Sequence, residues 1–157
     1  MKKTVLPLDK HQTEADWKEF EKIWNESEQL KYFGFKVDLS DPEHPVALIP
    51  DIEPHHLGGL GSGFVNGAIV AALCDLAVGL TGSIQLGCRI KGTAELNIRY
   101  LYPLVSKSVK AVGKVERVSK NLAFTSADVY DDSGKICAIA QGIVACSSRL
   151  NGLPDEE

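Results

Sequence analysis

A long hydrophobic segment that carries a single charged side chain constrains this fold more than any other feature. Residues 64–80 are apolar or small throughout, except for Asn66 near the start and Asp75 farther along. A helix that is hydrophobic on every side is normally buried inside a protein. A lone carboxylate on such a helix must be paired, protonated or used in function, because burying an unpaired charge is costly. The segment therefore predicts a buried helix on which Asp75 either acts chemically or caps a neighbouring loop.

A glycine-rich segment, residues 56–63, leads into this helix. Glycine lets the backbone come close to a ligand, and the first N–H groups of a helix have no partner within the helix. The helix start is therefore a predicted site for an anion or a polarised carbonyl. Asp75 lies nine residues after Asn66, or ~13 Å along a helix axis, too far for both to contact one reacting atom. If both act, the carboxylate of one subunit meets the helix start of another.

Composition narrows the class of protein. A chain of 157 residues, 44% of them hydrophobic, predicts one domain spanning residues 1–157 with a real core. The formal net charge of −4 argues against broad nucleic-acid binding, which normally uses a basic face. No apolar stretch follows the basic residues of segment 1–7, and the hydrophobic helix is predicted to be shorter than the ~20 residues of a membrane span. We therefore expect a cytoplasmic protein that binds neither nucleic acid nor membrane.

The cysteines and histidines do not form metal-binding patterns. No two cysteines have C-x-x-C spacing and no histidine lies at ligand spacing from one, so we predict reduced, buried cysteines and no metal site. The adjacent residues His55 and His56 are predicted to lie in a polar surface loop or to contact substrate. The four cysteines are Cys74, Cys88, Cys137 and Cys146.

Local patterns predict an N-terminal helix and then a series of strands. Thr13 and Asp16 resemble a capping box that opens a helix running to about residue 31. Alternating apolar and polar residues, bounded by turn sequences, predict the strands. These strands cover residues 33–39, 46–50, 93–102, 108–118, 122–130 and 136–146, and the tail 151–157 is expected to fray.

The strand patterns also predict which side chains share a face. Thr93 is expected on the face opposite Ala94 and Leu96. The nearly continuous apolar strand 136–146 is expected to be central and covered on both faces. Sequential strands with helices set apart give an α+β domain, in which one sheet wraps around the hydrophobic helix. Such a sheet keeps an exposed edge that pairing between subunits would cover.

Two segments carry a resemblance to a known family. The first, GFVNGAIVAALCD at residues 63–75, is similar to a G-x-x-H-G-G motif followed after six residues by Asp. The second is GTAELNIRYLYP at residues 92–103, which continues with KNLAFT at residues 120–125. On these segments the chain resembles the PaaI-like acyl-CoA thioesterases of the hotdog fold over about residues 33–148. The resemblance implies an antiparallel sheet wrapped around a long central helix.

The same resemblance implies an enzyme and assigns its parts. Asp75 corresponds to the acidic residue that acts as general base or nucleophile, and Gly67 to the glycine whose N–H polarises the thioester carbonyl. Thr93 corresponds to a hydroxyl residue that orients water or substrate, and Asn66 to a substrate-contacting position. The implied reaction is hydrolysis of an acyl-CoA to free acid and CoA at the interface of a homodimer or dimer of dimers, with no cofactor beyond the CoA of the substrate. Further substrate contacts are implied at Gly63, Ala68, Lys120 and Asn121.

Three residues depart from the family pattern. Asn66 replaces the motif histidine, Ala68 replaces the second motif glycine, and Leu60 replaces an asparagine six residues before the histidine position. Asn66 can donate a hydrogen bond but is neither an acid nor a base at neutral pH, and its identity equally suits a helix N-cap. A non-catalytic acyl-CoA-binding hotdog module is therefore the alternative function. A hotdog dehydratase is disfavoured because no histidine accompanies the helix carboxylate. The sequence leaves open the acyl group and whether Asp75 is a base or a nucleophile.

Overall fold

The computed structural model describes residues 12–86 and 90–146. Within them the helices are α1 (Glu14–Asn25), α2 (Glu28–Phe33) and α3 (Gly67–Leu86), and a short 3-10 turn covers Pro54–His56. The strands are β1 (Lys36–Asp38), β2 (Val46–Ile49), β3 (Ile90–Tyr100), β4 (Val109–Val118), β5 (Leu122–Tyr130) and β6 (Ile136–Cys146). The predicted α+β class and the order of helices and strands are confirmed. Cys88 and the tail 151–157 lie outside the described residues.

The N-terminal region differs from the prediction of one continuous helix. The capping box is confirmed, because the Asp16 N–H donates to the Thr13 hydroxyl and the Thr13 N–H donates to the Asp16 carboxylate. The first helix stops before Ser27, whose hydroxyl caps α2 by accepting from the Leu30 N–H. Gly34 then ends α2 with a φ of +67°, a left-handed conformation that glycine adopts readily. The following strand therefore begins three residues later than predicted.

The strands form one sheet in the order β1-β2-β4-β5-β6-β3, with antiparallel neighbours throughout. Strand β6 has a neighbour on each side, but the prediction that both its faces are covered is wrong for this chain. Ala140 and Val144 are buried, whereas Gln141 between them is exposed. Within the described residues β3 pairs only with β6, so the 11-residue strand β3 leaves one edge of the sheet unpaired.

Helix α3 packs along one face of the sheet and contacts β2, β3, β4, β5 and β6. At 20 residues it is longer than predicted, and by length and composition alone it is apolar enough to cross a membrane. However, 61% of its most apolar 18-residue stretch is buried inside the protein. Packing against the sheet accounts for the hydrophobic character of this helix.

Glycines on both partners allow α3 to lie unusually close to the sheet. A β-carbon on Gly82 of the helix would lie 2.6 Å from the β-carbon of Val144 on β6. In the reverse direction, a β-carbon on Gly142 of β6 would lie 2.9 Å from a methyl carbon of Val78 on the helix. Since real β-carbons do not approach other atoms this closely, the spacing depends on the absence of side chains at both positions.

We expect Gly82→Ala to lower the free energy of unfolding by about 1–3 kcal/mol, the usual scale of overpacking a core. This loss should exceed the gain of about 1 kcal/mol that alanine brings to a helix interior. Thermal and urea unfolding measure the change. Gly79→Ala is the matched control, because its β-carbon would come no closer than 3.8 Å to the Thr93 hydroxyl. A Gly82→Ala protein as stable as the wild type would contradict the close-packing argument.

Candidate active site

The start of α3 presents a free backbone donor. Asn66 caps the helix, since its Oδ1 accepts from the Ala68 N–H at 2.8 Å and its carbonyl oxygen accepts from the N–H groups of Ile69 and Val70. Gly67 is exposed, and its N–H has no acceptor among residues 12–86 and 90–146. The first turn of a helix normally leaves such a donor. The side-chain oxygen of Asn66 is therefore occupied, while the Gly67 N–H is available to a ligand.

Tyr100, near the end of β3, holds the first turn of α3 in place. Its hydroxyl donates to the Gly67 carbonyl oxygen at 2.8 Å. Burial and then the nearby Cys74 raise the pKa of the Tyr100 phenol, so this group stays protonated and able to donate. Burial and then the charge of Asp75 raise the pKa of the Cys74 thiol to about 12, which keeps that thiol neutral. This role of Tyr100 was not predicted from the sequence, because strand alternation does not show which residue of α3 a strand residue contacts.

His56 is buried and joins two segments of the chain. The prediction that it lies in a surface loop or contacts substrate is therefore wrong. Its side chain is 1% exposed; its Nδ1 accepts from the Glu53 N–H at 2.9 Å, and its Nε2 lies 2.7 Å from the Phe33 carbonyl oxygen. Because Nδ1 accepts, Nε2 carries the proton and donates to Phe33. The ring therefore ties the glycine-rich segment to the end of α2. His55 is exposed, as predicted, and lies 3.3 Å from the Glu53 carboxylate.

A cavity of about 300 Å³ lies between the N-terminal helices and α3. Side chains spaced three or four apart form one stripe of α3 along it, namely Ala72, Asp75, Leu76, Gly79, Leu80 and Ser83. Trp24, Phe33 and Phe35 contribute an aromatic wall, in which the rings of Phe33 and Phe35 stack 5.1 Å apart. A mostly apolar cavity with a few polar groups is typical of sites that bind small organic ligands.

Three polar side chains in this cavity, Gln29, Asp75 and Thr93, have no hydrogen-bond partner within the described part of the chain. Ser83 differs, because its hydroxyl donates to the Gly79 carbonyl at 3.0 Å. Asp75 is exposed, contrary to the expectation of burial, because its stripe of α3 faces the cavity. Asp75 and Thr93, two of the residues predicted from the resemblance, thus line the same cavity. The structure adds Gln29, which the sequence analysis missed because no local pattern links α2 to α3.

Gly67 borders a different concavity. A groove of about 320 Å³ beside the helix start is lined by Gly67, Phe64, Tyr100 and Tyr102 among other residues, and it does not include Asp75. Asp75 lies eight positions after Gly67, which corresponds to ~12 Å along the helix axis. Within one chain, the Gly67 N–H and the Asp75 carboxylate are therefore too far apart to contact one reacting atom, as their separation in the sequence predicts.

The remaining predicted contacts fall into two places. Gly63, with a φ of +70°, and Ala68 are exposed beside the helix start. Lys120 and Asn121 form the exposed β4–β5 turn and do not line the Asp75 cavity. That turn lies at the Thr93 end of the sheet, because Ala123 pairs with Val144 and Val144 pairs with Thr93. Lys120 and Asn121 are thus two strands away from Thr93.

Comparison with known proteins identifies a family that the chain resembles in sequence. Residues 62–138 match the sequence model of the Thioesterase superfamily. A Thermoplasma volcanium protein provisionally named an esterase is 25% identical over 79 residues, which cover 50% of this chain. The match spans 59% of the length of that curated relative.

Solved structures share the fold at low sequence identity. A thioesterase-superfamily protein from Shewanella oneidensis has a TM-score of 0.76 at 16% identity, covering 85% of this chain and 96% of that one. The Escherichia coli PaaI protein from the phenylacetic acid degradation operon has a TM-score of 0.70 at 15% identity, covering 84% and 93%. Zebrafish thioesterase superfamily member 2 has a TM-score of 0.70 at 17% identity, covering 83% and 98%. Over residues 62–138 the chain therefore matches the Thioesterase superfamily in sequence, and its described residues adopt the hotdog fold.

Proposed function

We propose that the protein hydrolyses an acyl-CoA thioester to a free acid and CoA at a site shared by two subunits. One observation carries the proposal. Asp75, without a partner among the described residues, lines an apolar cavity together with Thr93, which lies near one end of β3. The Gly67 N–H, free within the described residues, lies near the other end of β3, and one edge of this strand has no pairing partner there. The superfamily match and the esterase-named relative support hydrolysis of a thioester in general. The cavity, with its apolar walls, suits the acyl part of the substrate.

The position of β3 explains how two copies would complete one site. Thr93 faces the Asp75 cavity near one end of this strand, and Tyr100 holds Gly67 near the other. If two β3 edges pair antiparallel about a two-fold axis near residues 96 and 97, the Thr93 end of one strand lies beside the Tyr100 end of the other. Each carboxylate then faces the helix start of its partner. The pairing also covers the free edge of the sheet.

The chemistry follows from these groups. In one route the Asp75 carboxylate takes a proton from a water held by Thr93, and the water oxygen adds to the thioester carbon. In the other route Asp75 itself attacks, and water then hydrolyses the anhydride. In both, the Gly67 N–H of the partner stabilises the oxyanion, the C–S bond breaks, and the CoA thiolate leaves and takes up a proton.

A binding module without turnover is the second candidate, and one observation favours it. Leu60, which stands in place of the family asparagine, is fully exposed at a φ of +61° and offers no polar group. Gln29 in the same cavity as Asp75 is an available amide that can compensate for this loss. A panel of acyl-CoA substrates with spectrophotometric detection of the released thiol separates the two functions. Binding of acyl-CoA without thiol release would favour the binding module.

We expect Asp75→Asn to lower kcat by about a hundredfold or more, because the substitution keeps the shape and removes the base or nucleophile. Since Asp75 has no hydrogen-bond partner among the described residues, the fold should be retained, as circular dichroism and thermal melting can check. Unchanged turnover in a folded Asp75→Asn protein would reject the assigned role.

We expect Gly67→Pro to lower kcat by about 10²–10³-fold, the scale of losing one oxyanion donor. Proline lacks the N–H but is well tolerated at the first position of a helix. Gly67→Ala is the matched control: it keeps the N–H, and its β-carbon would lie 3.6 Å from the Tyr100 ring, an ordinary contact.

Mixing the two inactive variants tests whether subunits share the site. A hybrid of Asp75→Asn and Gly67→Pro subunits contains one intact site if the groups come from different subunits, so random exchange should restore about a quarter of wild-type activity. A mixture no more active than its two parents would place both groups in one subunit. The same samples should show a dimer or larger assembly by light scattering.

We expect Asn66→Ala to lose about 1 kcal/mol of stability, because it removes the N-cap oxygen that accepts from Ala68. Asn66→Asp keeps the cap oxygen but removes the side-chain N–H₂ donor. If that donor contacts the substrate, kcat/KM should fall in both variants; if Asn66 is only a cap, Asn66→Asp should keep both stability and activity. Thermal melts and steady-state kinetics on the two proteins distinguish these roles.

A further inference from the structure

Thr93 faces the inner side of the sheet, whereas in a regular strand it would face the outer side. Leu96 and Ile98 of β3 pack against the hydrophobic core, so alternation places Ala94 with them and Thr93 on the outer face. The outer face is polar there, and Asn97 and Arg99 line a surface depression on it. Yet Thr93 lines the Asp75 cavity on the inner side.

A β-bulge accounts for this reversal. Thr93 pairs with Val144 on β6, whereas Glu95 pairs with Ile143, so Ala94 is an extra residue without a partner position. Val144 is buried and faces the helix side, and Thr93 shares that side with it. Ala94 is exposed. The extra residue therefore shifts the alternation by one position between Glu95 and Thr93.

Gly92 permits the backbone path beside this bulge, between it and a second register shift that separates Ile90 from Gly92. Its φ is +144°, in a region that residues with a β-carbon rarely adopt. A β-carbon at Gly92 would meet no atom within 4 Å, so the requirement for glycine is conformational and not steric. On α3, Gly79 lies opposite Thr93, whose hydroxyl is 3.8 Å from where a β-carbon of Gly79 would be.

We propose that Gly92 and Ala94 are positioning residues, and that the bulge at Ala94, together with the backbone conformation of the neighbouring Gly92, turns the Thr93 hydroxyl from the outer face of the sheet into the cavity beside Asp75. The inference rests on the proposed function, in which Thr93 orients water or substrate. It goes beyond that function because it makes catalysis depend on strand register and not only on which residue occupies position 93. Neither Gly92 nor Ala94 supplies a side chain to the reaction.

Exchanging the two residues at the bulge is the first test. In the double variant Thr93→Ala with Ala94→Thr, the bulge would hold the hydroxyl on the exposed side, so kcat should fall as far as in Thr93→Ala alone. If the exchanged protein retains wild-type kcat, or if Thr93→Ala does, the bulge positions nothing and the proposal is overturned.

Rescue by deletion is the second test. Gly92→Ala should lower kcat by roughly a hundredfold, the scale of a misplaced reacting group, with a smaller change in KM. Deleting Ala94 in that background removes the extra residue at this bulge, so that Thr93 next to Glu95 faces inward by ordinary alternation and kcat should recover. No recovery in a folded protein would count against the proposal. If Gly92→Ala does not fold, the exchange variant still decides.

Different results would contradict the proposed function and the bulge proposal. A wild-type protein that releases no thiol from any acyl-CoA, or that is unaffected by Asp75→Asn, removes the hydrolase and with it the role of the bulge. Loss of activity in Asp75→Asn together with full activity in the exchanged protein removes only the bulge proposal.

Discussion

The burial of α3 against the sheet is the interaction on which the rest of this structure depends. A 20-residue helix without charges apart from Asp75 must be covered by other apolar surface. The sheet supplies that surface from five of its six strands. Glycines at positions such as 82 and 142 bring helix and sheet close enough for their remaining side chains to interlock. Because this packing is tight, the orientation of the helix, and with it the direction of every residue along it, is well determined.

The candidate site occupies the part of α3 that the sheet leaves uncovered. The N-terminal helices close over that stripe and contribute aromatic side chains, while β3 contributes Thr93 from the sheet edge. His56 links the glycine-rich segment to the end of α2 through its buried ring. The same ring therefore connects the segment that leads into α3 with Phe33 of the cavity wall. The polar groups of the site therefore come from three elements that meet at the cavity: Gln29 from α2, Asp75 from α3 and Thr93 from β3.

Sequence reasoning succeeded where the signal was local. The capping box of Thr13 and Asp16 and the bounds of β5 and β6 all follow from residues close together in the chain. It failed where a neighbour distant in sequence decided the outcome. His56 was predicted to be a surface or substrate-contacting residue because one of its two partners, Phe33, lies 23 residues away in the sequence. For the site, Asp75 and the helix-start donor were predicted, but the presence of Gln29 beside Asp75 was not.

The sequence by itself determined that a hydrophobic helix with one carboxylate must be buried, and the strand patterns predicted the sheet that covers it, because both elements have apolar surface to remove from water. It also determined that this carboxylate and the helix start lie too far apart to act within one chain, because the rise of a helix per residue is constant. Only the tertiary structure decided which side of α3 opens to a cavity and which face of β3 carries Thr93. Both depend on pairing register and packing, and a one-residue shift in register moves a side chain to the other face without any change in composition.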